Sequence, residues 1–259
     1  MSISPLTDYE ARVAQEIAVW KAEKLGLYGQ VTARMTKPFA WALKHVVPEV
    51  AARKAIEAAY ATSDWLASPA EILEKGGVKS LPELQHKSLE LSDRLADQVG
   101  QGSQAMAAVD GAVTGAGGFL LAAADVGALA VVALHAIHRT GHCYGYPLDA
   151  PEDRAYVLGI LMAVGSKSST ERLEILGKLQ NVKTWVLAET VEAVAIESLA
   201  RQLVELASLG AVPGLGAVFG GGANLIFIRQ VLRGGRCIFQ ERSLRDNGKL
   251  DAIAPVAAE

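Results

Sequence analysis

His135, His138 and His142 stand three and seven positions apart. On one continuous helix they fall within about 60° of each other, from the 100° step per residue. Three imidazoles on one face could hold zinc or iron, with Asp125 or Glu152 supplying a carboxylate ligand. No glutamate sits beside them as HExxH places its general base. The bland alternative is a helix that carries histidines on its wet face. Cys143 follows His142, but adjacent helical residues point apart and no thiol nucleophile is expected. No serine triad or phosphate loop is visible. The "GAGG" at 115–118 lacks the strand that a dinucleotide site needs before it.

Asp125 is the other group that could do chemistry. It lies in "TGAGGFLLAAADVGALAVVALHAIHRTGHCYGY" (114–146), flanked on both sides by long uncharged runs. A carboxylate in such surroundings is expensive to bury unpaired. One reading makes it the N-cap of a helix over 126–142, accepting backbone N–H bonds. The other is a buried acid facing a cavity, where perturbed groups tend to mark sites. The stretch as a whole reads as one buried helix, a break at Ala124-Asp125, and a second buried helix ending at Tyr144-Gly145.

The elements that must position these groups read as helices. The chain has 259 residues, 51% hydrophobic and only 6% aromatic, with mean hydropathy +0.23. Alanine and leucine dominate the apolar fraction, which favours helix over sheet. "TDYE" (7–10) is a capping box, Thr7 with Glu10, opening a helix to about Leu27. Val13, Ile17, Trp20 and Leu27 form its buried stripe. A second stretch passes through Trp41, His45, Ile56 and Tyr60, with Pro48 as a kink or break. "SPAEILEKGG" is a short helix stopped at Gly76-Gly77. A further helix starts from Ser80 with Pro82 in its first turn and ends at Gly100. Pro151 opens the next, with Asp149 or Ala150 near its cap. The longest helical signal begins at Ser168 and runs past Leu206. No alternating strand pattern, internal repeat or low-complexity linker is found. The expected fold is all-α: a single multi-helix domain over 1–259 of about nine to eleven helices, with central glycine-rich apolar helical hairpins.

Charge and cysteine usage exclude some classes. Net charge is −3, so there is no basic field of the kind nucleic acid needs, and no nucleic-acid partner is expected. Two distant cysteines make no disulfide framework and suit a reducing compartment. The N-terminal residues do not read as a signal peptide. A cytoplasmic location is the expectation, and no cofactor is expected.

Residues 206–228 carry no formal charge, and by length this run could span a bilayer. Gly210–Gly214 and Gly216–Gly220 are small-xxx-small spacings that allow close helix approach. Against a span, the Gly-Pro-Gly content near 213–216 breaks the segment into halves too short to cross, and Gly220–Gly222 weakens helix further. Buried core helices are the reading that follows. Arg229, Arg233 and Arg236 come next at i, i+4 and i+7, one basic stripe. Basic residues flanking an apolar helix suit anionic headgroups; the alternative is a solvated helix end, where the dipole favours cations.

Taken in order, "TGAGGFLLAAADVGALAVVALHAI" (114–137), "CYGYPLDAPEDRAYVLGIL" (143–161), "VPGLGAVFGGGANLIFIRQV" (212–231) and "FQERSL" (239–244) resemble the EcsC protein family. The resemblance covers about the C-terminal 150 residues well. It implies a family-like core over about 100–245, with N-terminal helices over 7–75 packed on it. It also implies a bacterial, cytoplasmic helical protein whose family is named for a neighbour of an ABC exporter gene. The family has no settled activity. Family-matching positions are Gly117, Gly118, Asp125, Tyr144, Gly145, Glu152, Arg154, Asn224 and Arg242. The three histidines lie outside the pattern.

Three functions compete at this stage. The first is a non-enzymatic helical protein, peripheral to the inner membrane, that binds lipid or a membrane surface or docks on a membrane partner such as an ABC exporter. Arg229, Arg233 and Arg236 are its surface candidates. The second is a metal-dependent, hydrolase-like enzyme using Asp125 with His135, His138 and His142. The third is a homo-oligomer built through apolar helix faces.

Overall fold

Thr7 opens the first helix by local chemistry. Its Oγ1 accepts from the Glu10 amide at 3.2 Å, and the Glu10 carboxylate accepts from the Thr7 amide at 2.8 Å. The reciprocal pair satisfies amides that the first turn leaves open. The computed structural model describes residues 5–23, 54, 56–59, 68–114, 122–166, 168–181, 196 and 216–256; of these, the side chains of 104–114, 122–127, 151 and 216–224 are outside the description.

Among the described residues there are eight helical segments and no strand. They are α1 (Asp8–Ala22), α2 (Ala70–Gly76), a 3-10 helix (Leu81–His86), α3 (Leu89–Thr114), α4 (Ala122–Cys143), α5 (Pro151–Gly165), α6 (Ser169–Gln180) and α7 (Gly216–Asp246). The fold is all-α, as the composition and periodicity predict. Leu27, Trp41, His45, Pro48 and Tyr60 lie outside the described residues, as does all but Ile196 of the helical signal after Asn181.

Ends set by local chemistry fall where the sequence puts them. Gly77 closes α2 in the left-handed conformation at φ 63°. Pro151 is the first residue of α5 after Ala150, whose amide donates to the Asp153 carboxylate at 3.1 Å. Ser168 caps α6 through the Glu171 amide at 3.1 Å.

Three expectations are corrected. The helix expected from Ser80 to Gly100 is a 3-10 helix and a separate α3, and α3 runs past Gly100 to Thr114. The Gly220–Gly222 run, expected to weaken helix, lies within α7, a continuous helix of 31 residues, about 46 Å long. Asp125 lies inside α4, which begins at Ala122, so it neither caps that helix nor marks a break. At Gly220–Gly222 propensity loses to packing: a glycine costs a helix about 1 kcal/mol, whereas α7 packs along α3, α4, α5 and α1. Its Ile228, Val231 and Phe239 are fully buried. No helix among the described residues is long and apolar enough to cross a membrane.

Among the described helices, α7 packs against α1, α3, α4 and α5. Phe239 stacks with Tyr144 and Tyr146 at ring-centroid distances of 6.2 and 5.8 Å, and tilts against Tyr156 at 5.9 Å. At Gly234 the helix passes so close to α5 and α1 that a Cβ would collide with Val164 and meet Trp20 at 3.1 Å. α5 is buried on all sides from Ala155 to Ala163, as a helix apolar all round should be.

Candidate functional site

α1 has two faces. Val13, Ile17 and Trp20 point into the core. Arg12, Glu16, Val19 and Glu23 recur at the same spacing on the other side, so they share a stripe. α7 presents Arg233, Arg236, Cys237 and Gln240 at i, i+3, i+4 and i+7. Arg12, Glu16 and Val19 of the first stripe, with Gln15 and the α7 stripe, line an open cleft of about 460 Å³ between α1 and α7, and Glu23 lies beyond its end.

The guanidiniums in the cleft are not equivalent. Arg12 lies over the Tyr9 ring at 5.2 Å, and among the described residues it has no carboxylate partner. Arg233 makes a two-pronged pair with Glu23, at 2.8 and 2.6 Å. Both partners are well exposed, at 56% and 37%. The Arg233 pKa is raised, mainly by that hydrogen-bonded carboxylate. Arg236 pairs with Asp97 and reaches down to Asp93 at 3.4 Å.

Asp93 forms the polar floor beneath the cleft. Its side chain is only 2% exposed. Oδ2 accepts from the Tyr9 hydroxyl at 2.6 Å and Oδ1 from the buried Tyr144 hydroxyl. Gln240 Nε2 donates to both oxygens, at 2.9 and 3.0 Å. One carboxylate thus ties α1, α3, the turn after α4, and α7. Burial, and after it the Asp93 hydrogen bond, pushes the Tyr9 phenol up to about 12. Burial and then the Asp93 charge push Tyr144 well above its ordinary value. With its lone pairs directed at four donors, Asp93 is a structural acceptor and not a general base in waiting.

A second buried pair braces the other end of α1. Lys21 Nζ lies 2.7 Å from the Glu241 carboxylate and donates to the Ile253 carbonyl at 2.7 Å. The Ile253 amide returns a bond to Glu241 at 2.9 Å. Arg172 donates to the Trp20 carbonyl at 2.6 Å and lies over the Trp20 ring, closing the C-terminal end of α1.

The residues singled out from sequence fall into distinct places. Tyr144 and Gly145 are structural. Gly145 has φ 84°, and its carbonyl accepts from Gln85 Nε2 at 2.8 Å. A Cβ there would sit 2.7 Å from the Gln85 backbone nitrogen and 2.8 Å from the Leu81 carbonyl oxygen. Gly145→Ala is therefore expected to cost about 2–4 kcal/mol, combining left-handed strain with a backbone collision. A lowered urea midpoint with an unchanged slope would report it, and an unchanged midpoint would refute it. Arg242 lies 4.1 Å above the Tyr146 ring and 4.6 Å from Tyr156, with Asp246 alongside at 3.7 Å. Glu152 and Arg154 are half-buried on α5. Gly117 and Gly118 lie outside the described residues, and Asn224 and Asp125 are placed only as backbone within α7 and α4.

His135, His138 and His142 are all buried, not on a wet face. His138 Nδ1 lies 3.0 Å from the Leu134 carbonyl and His142 Nε2 3.1 Å from that of Pro147. Among the described residues no group of three or more His, Cys, Asp or Glu is placed to hold a metal. The proposed histidine ligand face does not converge there. Burial pushes the Cys143 and Cys237 thiols up to about 12, away from thiolate chemistry. In the basic stripe Arg229 is exposed, Arg233 pairs with Glu23 at the end of α1, and Arg236 pairs with Asp97 of α3.

Sequence reasoning passed over Asp93, Lys21 and Arg12, and took Gln240 and Glu241 only as part of the FQERSL stretch. Asp93 was within reach of it. It shares a three-and-four stripe with Leu89 and Ala96, so a carboxylate stands on the buried face of α3.

Comparison with known proteins gives a consistent picture. The profile of the EcsC protein family matches residues 11–244. The chain is 25% identical over 193 residues to the protein YdbA of Bacillus subtilis (strain 168), covering 70% of this chain and 66% of that one. It is also 25% identical over 160 residues to Protein EcsC of the same organism, covering 61% of this chain and 66% of that one. The chain thus spans just under two thirds of each relative's length. No solved structure matches.

Proposed function

The chain belongs to the EcsC protein family, and from that premise we propose that it is a non-catalytic helical protein that docks on an anionic membrane surface through the face shared by α1 and α7. One observation carries the reading: Arg12, with no carboxylate partner among the described residues, shares one open cleft with the acid-paired Arg233 and Arg236, with Glu16, and with the exposed Val19, 41% accessible. Cations beside an exposed apolar side chain suit the boundary between headgroups and acyl chains. Arg229 and the exposed Ile226 extend the same character along α7. The reading needs no membrane span. Docking on a membrane protein is the other partner class, and lipid vesicles without protein separate the two.

Flotation tests it. The protein is expected to rise with phosphatidylglycerol-containing vesicles at low salt and to stay behind with pure phosphatidylcholine. Each arginine near such a surface is worth about 1 kcal/mol, so Arg12→Gln should weaken binding about fivefold. Binding should fall as salt shortens the screening length. A protein that stays in the dense fraction with anionic vesicles at low salt would rule the reading out.

A further inference from the structure

Arg233 is held by a partner that is easy to replace. Its guanidinium fork is filled by the two oxygens of Glu23, at 2.8 and 2.6 Å, in a pair that solvent reaches from both sides. Exposed pairs contribute modestly, and the two-pronged geometry puts this one at the upper end of their range. A fork that fits a carboxylate with two parallel N–H bonds fits two phosphate oxygens equally well. Arg236 differs in kind. One of its acceptors is the buried Asp93, whose charge cannot be left unpaired without a large cost. Arg12 lines the same cleft on the other helix and has no carboxylate to release.

We propose that Arg233 is a phosphate site for an anionic lipid headgroup, that Glu23 occupies the site until a headgroup displaces it, and that Arg12, about three turns away along α1, adds attraction at the same surface without touching that phosphate. The inference rests on the docking reading above and adds its ligand group and its resident competitor. Near an anionic surface Glu23 is repelled while the guanidinium is attracted, so the exchange is driven from both sides. Glu23 sits at the C-terminal cap of α1, where its backbone amide bonds back to the Val19 and Trp20 carbonyls. Its carboxylate can therefore swing away without unwinding the helix. Substituting the carboxylate alone also leaves the backbone carbonyl that Arg172 uses.

Four proteins decide it: wild type, Glu23→Gln, Arg233→Gln and the double variant, each titrated with phosphatidylglycerol vesicles. Glu23→Gln is expected to bind about twofold to fivefold more tightly than wild type, the range set by the worth of an exposed pair. Arg233→Gln is expected to bind more weakly, and in its background the gain from Glu23→Gln should shrink to the small one that follows from removing a repelled charge. If the wild type floats but Glu23→Gln is no tighter, or its gain survives loss of Arg233 undiminished, the displacement idea is overturned while surface docking stands. If Glu23→Gln floats through Arg233 where wild type does not, the phosphate site is upheld and resting-state docking is wrong. If none of the four floats, both are wrong.

Discussion

Asp93→Ala is expected to destabilise the protein by about 3–5 kcal/mol, the largest effect of any single polar substitution at the cleft. The substitution strips an acceptor from Tyr9, Tyr144, Gln240 and Arg236 at once. Each buried donor left without a partner costs about 1–3 kcal/mol. Tyr144 and Gln240 are buried and have no water to turn to, whereas Tyr9 and Arg236 are partly exposed and recover some solvation. Against a total stability of about 5–15 kcal/mol for a domain, this is a large fraction. Urea denaturation of the variant measures it, and a loss below about 1 kcal/mol would show that Asp93 is not the hub its geometry describes. Tyr144→Phe removes one donor and leaves the carboxylate with three, so it should cost about 1 kcal/mol.

The same site makes a statement about alkaline pH. Folding raises the Tyr9 and Tyr144 pKa values, burial being the larger cause for both. A raised folded-state pKa contributes stability that is complete below the unfolded value, about 10, and is lost as pH climbs through the folded one. For Tyr9 that window runs from about 10 to about 12. Replacing Asp93 takes away the lesser causes and leaves burial, so tyrosinate absorbance in Asp93→Asn should appear somewhat earlier without returning to that of a free phenol.

Such long-range constellations separate what was legible in the sequence from what was not. The Thr7–Glu10 box, the Gly77 stop and the Pro151 start involve neighbours within a few positions, and each stands where local chemistry puts it. The continuity of α7 through Gly220–Gly222 was not legible, because it depends on helices far away in sequence. The three-and-four stripe of Arg229, Arg233 and Arg236 could be read, but not that Glu23 of α1 and Asp97 of α3 would meet two of its members. The histidines could be placed on one helix face, but whether that face met solvent or core was decided by α4's neighbours. Asp93 could be recognised as a charge on an apolar stripe. Its donors, from Tyr9, Tyr144 and Gln240, could not be assigned from one sequence, since nothing local links those positions.

Lys21 and Glu241 give the second large expected effect. Their side chains are 3% and 7% exposed and 2.7 Å apart. Removing one member leaves the other buried and uncompensated, so Lys21→Met or Glu241→Leu alone should cost about 3–5 kcal/mol. The double variant replaces a desolvated pair with apolar groups and should recover much of that loss, because the charges spend desolvation energy to attract each other. The tail gives an independent readout. Ile253 bonds to both partners, and the Val256 amide donates to the Ala18 carbonyl at 3.2 Å. Either single variant should free residues 250–256 to faster amide exchange than the global stability loss accounts for. The double variant lacks both polar anchors, so its tail should exchange fast even though its core is stable again. A double variant that is as unstable as the two singles summed would show that the pair is not coupled. A tail that stays protected in it would show that the Val256 bond and apolar contacts of Ile253, not the ion pair, hold the tail against α1.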